Sequence, residues 1–111
     1  MKIGVKSYMH LRLLAIVFLF SINIAAQTII DVRSTSEWDS GHLETAIHVE
    51  WQSITDITAY MDKNEEIYLY CRSGNRSGKA RKILLDNGFI NVINAGSINE
   101  ASQLLNIKIS N

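Results

Sequence analysis

A single cysteine, Cys71, stands where an apolar strand runs into a polar turn and then a helix. The segment reads Ile67-Tyr68-Leu69-Tyr70-Cys71-Arg72-Ser73-Gly74-Asn75-Arg76-Ser77-Gly78. A thiol at such a junction faces the backbone N–H groups of the turn and the positive end of the helix dipole. Arg72 and Arg76 flank it. Each of these influences favours the thiolate, which is the nucleophilic form. The competing reading of a free cysteine is a small buried hydrophobe. Here Arg72 to Ser77 are all polar, charged or glycine, which sets the thiol at the mouth of the strand.

The other candidates have plainer explanations. Asp31 and Arg33 lie just past the first strand and read as supporting residues. Arg33 and Glu37, one helical turn apart, predict a local ion pair worth about 0.5 kcal/mol if exposed. His42, in Gly41-His42-Leu43, is expected to make a structural hydrogen bond, because a thiol activated by its own loop needs no base. His42, His48 and one cysteine have no ligand spacing, so no metal site and no cofactor are expected. Trp38 and Trp51 read as core or rim aromatics.

These residues must be carried by a small domain. Lys2, Lys6 and Arg12 form a positive start without acids, and Leu13 to Phe20 is an unbroken apolar run. Ala25 and Ala26 follow as small residues. That is the build of a secretory signal peptide over residues 1–26, its apolar run short for a membrane span of about 20 residues. Cleavage after Ala26 leaves residues 27–111 as one domain and predicts a periplasmic or secreted protein, with no membrane contact once cleaved. Of the eleven Lys/Arg, three lie in the leader, so eight face eleven Asp/Glu in the remainder, a net charge of −3. Nothing there suggests nucleic acid as a partner. A lone thiol in an oxidising compartment cannot close an internal disulfide and is reactive or paired with another molecule.

Elements alternate along residues 27–111. Thr28 to Val32 is a strand, and Ser34 or Thr35 caps a short helical turn over Ser36 to Ser40. Ala46 to Val49 is a second strand, followed by a helix capped at Ser53 or Thr55 and reaching about Met61. Ile67 to Tyr70 is the third strand and Ser77 to Asn87 a helix, with Gly88 at its end. Its inner face carries Ala80, Ile83, Leu84 and Leu85. Asn91 to Asn94 is the fourth strand, Gly96 a turn, and Ile98 to Leu105 the last helix. Asn106 to Asn111 reads as a frayed polar tail. This alternation implies an α/β fold, a small parallel sheet with helices on both faces. Ligands of such sheets bind beyond the carboxyl ends of the strands, where Cys71 lies.

Asp31-Val32-Arg33, Glu37-Trp38, Gly41-His42-Leu43, Ala46-Ile47, the loop Cys71 to Ser77, Gly88-Phe89-Ile90-Asn91-Val92 and Asn94-Ala95-Gly96 together resemble a rhodanese domain, in its minimal secreted form. The resemblance spans Ile29 to Gly96. It rests most on the loop, because rhodaneses separate cysteine and arginine as C-x4-R, whereas related phosphatases use C-x5-R. Cys71 and Arg76 have the first spacing. The resemblance implies four or five strands, the family's leading strand and helix having no counterpart ahead of Ile29. It also implies a thiosulfate sulfurtransferase in which Cys71 is the catalytic nucleophile and carries a persulfide. Arg72, Ser73, Gly74, Asn75, Arg76 and Ser77 would then form the substrate-binding loop, with Asp31 bracing it. The expected partners are a small anionic sulfur donor and a thiol or cyanide acceptor, and the expected state is a monomer. The alternatives are a persulfide or redox carrier serving a partner thiol without efficient free turnover, and a phosphatase-like activity.

Overall fold

A computed structural model of the chain describes residues 27–111. The signal peptide expected over residues 1–26 lies outside the described residues. The elements run β1 (Thr28–Asp31), α1 (Thr35–Asp39), β2 (His42–Leu43), β3 (Ile47–His48), a 3-10 turn (Trp51–Ser53), α2 (Ile54–Thr58), β4 (Ile67–Cys71), α3 (Asn75–Asp86), β5 (Val92–Ser97), α4 (Ile98–Leu105) and β6 (Ile109–Ser110). Four strands form one parallel sheet in the order β3-β1-β4-β5. The α/β class is as the alternation of elements predicts, with four strands in the parallel sheet.

Strand periodicity divides the apolar residues between the two faces. Ile30, Val32, Ile67, Leu69 and Cys71 point to one face, where Ile54 of α2 and Ala80 and Leu84 of α3 meet them with Phe89 and Val92. Ile29 and Tyr70 point to the other, packed with Leu43, Ala95 and Ala101 of α4. Burying a side chain such as Leu69 or Leu84, neither exposed at all, contributes about 1.5–3 kcal/mol. Burial on both faces explains why β4 reads as a continuous apolar run.

Several local expectations are corrected. The tail is not frayed: Ile109–Ser110 pairs antiparallel with His42–Leu43, forming a second, two-stranded sheet. Ile107 packs against the α4 side of the core, which anchors this return. The helix expected with its cap at Ser53 or Thr55 and its end near Met61 starts after Ser53, directly behind the 3-10 turn, but stops at Thr58, and the Ser53 side chain makes no cap bond. The α3 helix begins at Asn75, two residues before the expected start. On its inner face Ala80 and Leu84 are buried, whereas Leu85 is 38% exposed. Gly96 is not a turn after the strand but part of β5, which runs on to Ser97. There the register slips, Leu69 facing Asn94 but Cys71 facing Ser97, so β5 holds one extra residue against β4. Gly96 takes this bulge at φ +81°, where a residue with a Cβ is strained.

Candidate active site

The end of β4 delivers Cys71 to the face covered by α3, and the chain turns sharply into that helix. Gly74 makes the turn with φ 92°, and a Cβ there would meet the Gly96 backbone at 3.4 Å. The turn aims backbone donors at the sulfur. Gly74 N–H donates to Cys71 Sγ at 3.0 Å and Ser77 N–H at 3.5 Å. Ser77 Oγ lies 3.4 Å from the same sulfur. Successive N–H groups converging on one atom form an anion-binding nest.

Burial alone would push the Cys71 thiol up, since Cys71 has no exposed surface. Hydrogen bonds from the Ser77 hydroxyl and from the backbone of Ser77, Ser73 and Gly74 outweigh it, and the thiol lies below its ordinary value. Donors in the loop are therefore the main source of activation, rather than the two arginines.

The rim of the loop is solvated. Arg72, Ser73 and Asn75 are exposed and Gly74 is half-buried, whereas Ser77 is buried beside the sulfur. Arg76 is engaged by Glu37. Its Nη1 and Nη2 donate to the two carboxylate oxygens of Glu37 at 2.7 and 2.9 Å, tying the loop to α1. The Arg33–Glu37 pair expected from their spacing is thereby corrected. Glu37 serves Arg76, while Arg33 donates to Asp31 through Nε and Nη2. Helical spacing favoured the first pair, but Arg33 precedes the helix, in a bend where its own N–H also donates to Asp31 Oδ1.

Asp31 and Arg33 are both buried. Arg33 Nη2 also donates to the Gly41 carbonyl at 2.6 Å, which closes the segment around α1. Burial lowers the Arg33 pKa, but hydrogen bonding and charge from Asp31 more than reverse this and hold the guanidinium above its usual value. These two residues stabilise the segment that supplies Glu37; neither donates to the sulfur. Next to them the Trp38 and His42 rings stack at 3.4 Å, and His48 lies 5.1 Å from Trp38 on centroids. His42 Nδ1 bonds the Trp38 carbonyl and His48 Nε2 the Arg33 carbonyl, so both imidazoles have structural bonds. Trp51 is half-buried against the α3-side core, with the Lys79 ammonium 5.1 Å from its ring. Among the described residues no group of three His, Cys, Asp or Glu could hold a metal ion.

Asn94 belongs to the site although the residue pattern marked it only through Asn94-Ala95-Gly96. Its Nδ2 donates to the Gly74 carbonyl at 3.0 Å, and its Oδ1 accepts from Ser77 Oγ at 2.7 Å and from Gly96 N–H at 3.0 Å. A polar residue at the end of a strand otherwise apolar at Val92 and Ile93 was the available signal. An open hollow of about 510 Å³ lies between the end of β5 and α4, lined by Asn94, Gly96, Glu100 and Leu104, and Cys71 is not in its wall.

The chain as a whole has counterparts in known proteins. The family model described as rhodanese-like domain matches residues 20–103. Thiosulfate sulfurtransferase PspE of Escherichia coli is 35% identical over 91 residues, covering 79% of this chain and 88% of that protein. The thiosulfate:glutathione sulfurtransferase of Saccharomyces cerevisiae is 30% identical over 86 residues, covering 65% and 62%. Other relatives are longer proteins, of which this chain spans 36% or less. A solved structure of an E. coli rhodanese with anions superposes with a TM-score of 0.63 at 34% identity, covering 68% of this chain and 91% of that one. With a nest of N–H donors around a strand-end cysteine and a family match over most of its length, this chain belongs to the rhodanese-like domain family.

Proposed function

We propose that this protein is a thiosulfate sulfurtransferase working through a Cys71 persulfide. The Cys71 thiolate attacks the outer sulfur of thiosulfate, forming a sulfur–sulfur bond as the bond to the sulfite sulfur breaks. Sulfite leaves with the electron pair, and Cys71 carries the outer sulfur as a persulfide. Cyanide or an acceptor thiolate then attacks that outer sulfur, and the electron pair of the breaking bond returns to Cys71. The observation that carries this reading is the pair of N–H groups, Gly74 and Ser77, aimed at one sulfur in a C-x4-R loop. Such donors stabilise the attacking thiolate and equally the anion displaced in the second step.

The loop residues divide the remaining work. Arg72, exposed at the rim, attracts the anionic donor. Gly74, Asn75 and Ser77 shape the bowl, with Ser73 closing its start. Arg76 holds the loop to α1 through Glu37 and adds positive field at the sulfur. Asp31 and Arg33 hold the supporting segment. The relatives named for thiosulfate sulfur transfer support both the donor class and a thiol as physiological acceptor. The positive, apolar and small-residue regions of residues 1–26 support export, with cleavage at Ala26. No described helix is long and apolar enough to cross a membrane.

Intact-mass spectrometry of the exported protein tests these steps together. The expected chain starts at Gln27, gains the mass of one sulfur atom from thiosulfate, and loses it to cyanide with thiocyanate formed. Cys71→Ser should do neither. An unchanged mass after thiosulfate, or turnover by Cys71→Ser, would refute the reading. Loading with slow release to cyanide and fast release to a protein thiol would replace it by a carrier role. Turnover of an aryl phosphate without loading would replace it by a phosphatase.

A further inference from the structure

The Ser77 hydroxyl has two acceptors within reach, and they compete for one proton. It donates to Asn94 Oδ1 at 2.7 Å and lies 3.4 Å from Cys71 Sγ. The orientation of the Asn94 amide is determined by its other bonds. The Gly74 carbonyl can only accept, so it must face the Nδ2 donor, and Gly96 N–H can only donate, so it must face Oδ1. Oδ1 is therefore an acceptor, and the hydroxyl proton points to it. In this arrangement the Cys71 thiol donates its own proton to Ser77 Oγ. When the sulfur is an anion it has no proton to give, and the stronger pull on the hydroxyl comes from the charged sulfur.

We propose that Asn94 is a positioning residue for the sulfur chemistry, acting through Ser77, whose hydroxyl alternates between Asn94 Oδ1 and the Cys71 sulfur as that sulfur gains and loses charge. The proposal deepens the sulfurtransferase reading and rests on it for its role in turnover. In the resting thiol the hydroxyl is held by Asn94. On ionisation the thiol proton leaves to solvent and the hydroxyl rotates to the sulfur. When the persulfide forms, the negative charge moves to the outer sulfur, and the hydroxyl returns to Asn94. Asn94 thus holds a donor next to the nucleophile, aimed away from it until charge develops. The bulge residue Gly96 then holds the amide in this orientation through its N–H.

Of the other groups that face the sulfur, the Gly74 turn also touches residue 94, through its carbonyl, and the Ser77→Ala background controls for that contact. Gly74 and Ser77 supply backbone N–H groups, and Arg76, the charged neighbour that senses Cys71, is held by Glu37. Asp31 reaches the same Arg76 from β1 and is itself paired with Arg33.

The test is a double-mutant cycle read by the pH dependence of iodoacetamide alkylation of Cys71, which needs no sulfur donor. Ser77→Ala should raise the alkylation midpoint by about one pH unit, the worth of one hydrogen bond to a charged acceptor. Asn94→Leu should lower the midpoint while the Ser77 hydroxyl is present, because the competing acceptor is gone. In the Ser77→Ala background the same change should leave the midpoint unmoved. Asn94→Asp, closer in shape to the native side chain, should raise the midpoint more with Ser77 present than in the Ser77→Ala background. Equal shifts from Asn94 variants in both backgrounds would show action through the loop alone and overturn the proposal, as would no shift in either. Because alkylation is read without thiosulfate, failure here is separable from failure of sulfur loading.

Discussion

Glu37→Gln removes one charge from a junction that two distant segments share. The native carboxylate accepts two bonds from Arg76 and also takes the Ser34 N–H and hydroxyl, completing the capping box that starts α1. Glutamine can keep the cap, so the substitution isolates the ion pair. The Arg76 guanidinium holds the Glu37 carboxyl down to about 2, against an ordinary value of 4.5, with burial opposing and Ser34 assisting. Taken at face value that gap corresponds to about 3.4 kcal/mol. The two side chains are 29% and 27% exposed, so solvent screening reduces the expected value to about 1–2 kcal/mol. The folded carboxyl titrates below the unfolded one, so this stability is complete above about pH 4.5 and is lost as pH falls through about 2. Urea melts of the wild type and Glu37→Gln, run from pH 7 down to pH 2, should show a difference of about 1–2 kcal/mol that closes across that window. A difference that stays constant down to pH 2 would refute the assignment, because it would not depend on the charge of Glu37.

Asp31→Asn strips the buried Arg33 of its charged partner and should cost about 3 kcal/mol in a urea melt; a loss below 1 kcal/mol would mean that Arg33 finds another arrangement. Gly74→Ala forces a side chain into φ 92° beside the Gly96 backbone and should cost about 1–2 kcal/mol, with Cys71 alkylation at neutral pH slowed because the Gly74 N–H leaves the sulfur. Truncation after Lys108 removes β6 and the pairing of β2, and hydrogen exchange at His42 should speed up while the Leu43 amide, which donates to the Tyr70 hydroxyl, and the β4 amides stay protected.

The sequence by itself determined the class of fold and the place of its chemistry. Burial on both faces required Ile67, Leu69 and Cys71 to alternate with Tyr68 and Tyr70 in an unbroken apolar strand. The polar loop after it, with a glycine three residues past the cysteine, could only be a strand-to-helix turn, and that local order is legible without coordinates. What lay beyond it were partnerships between residues far apart in the chain. Arg76 and Glu37 are 39 residues apart, Ser77 and Asn94 are 17, and His42 and Ser110 are 68. Each also had a nearer competitor in the sequence: Arg33 for Glu37, solvent for Asn94, a frayed end for the tail. Spacing ranks neighbours along one element, but a guanidinium or an amide is satisfied by whichever group the packed sheet brings within 3 Å. The loop that carries Gly74 and Ser77 decided that for Asn94, and the strand end at Asp31 decided it for Arg33.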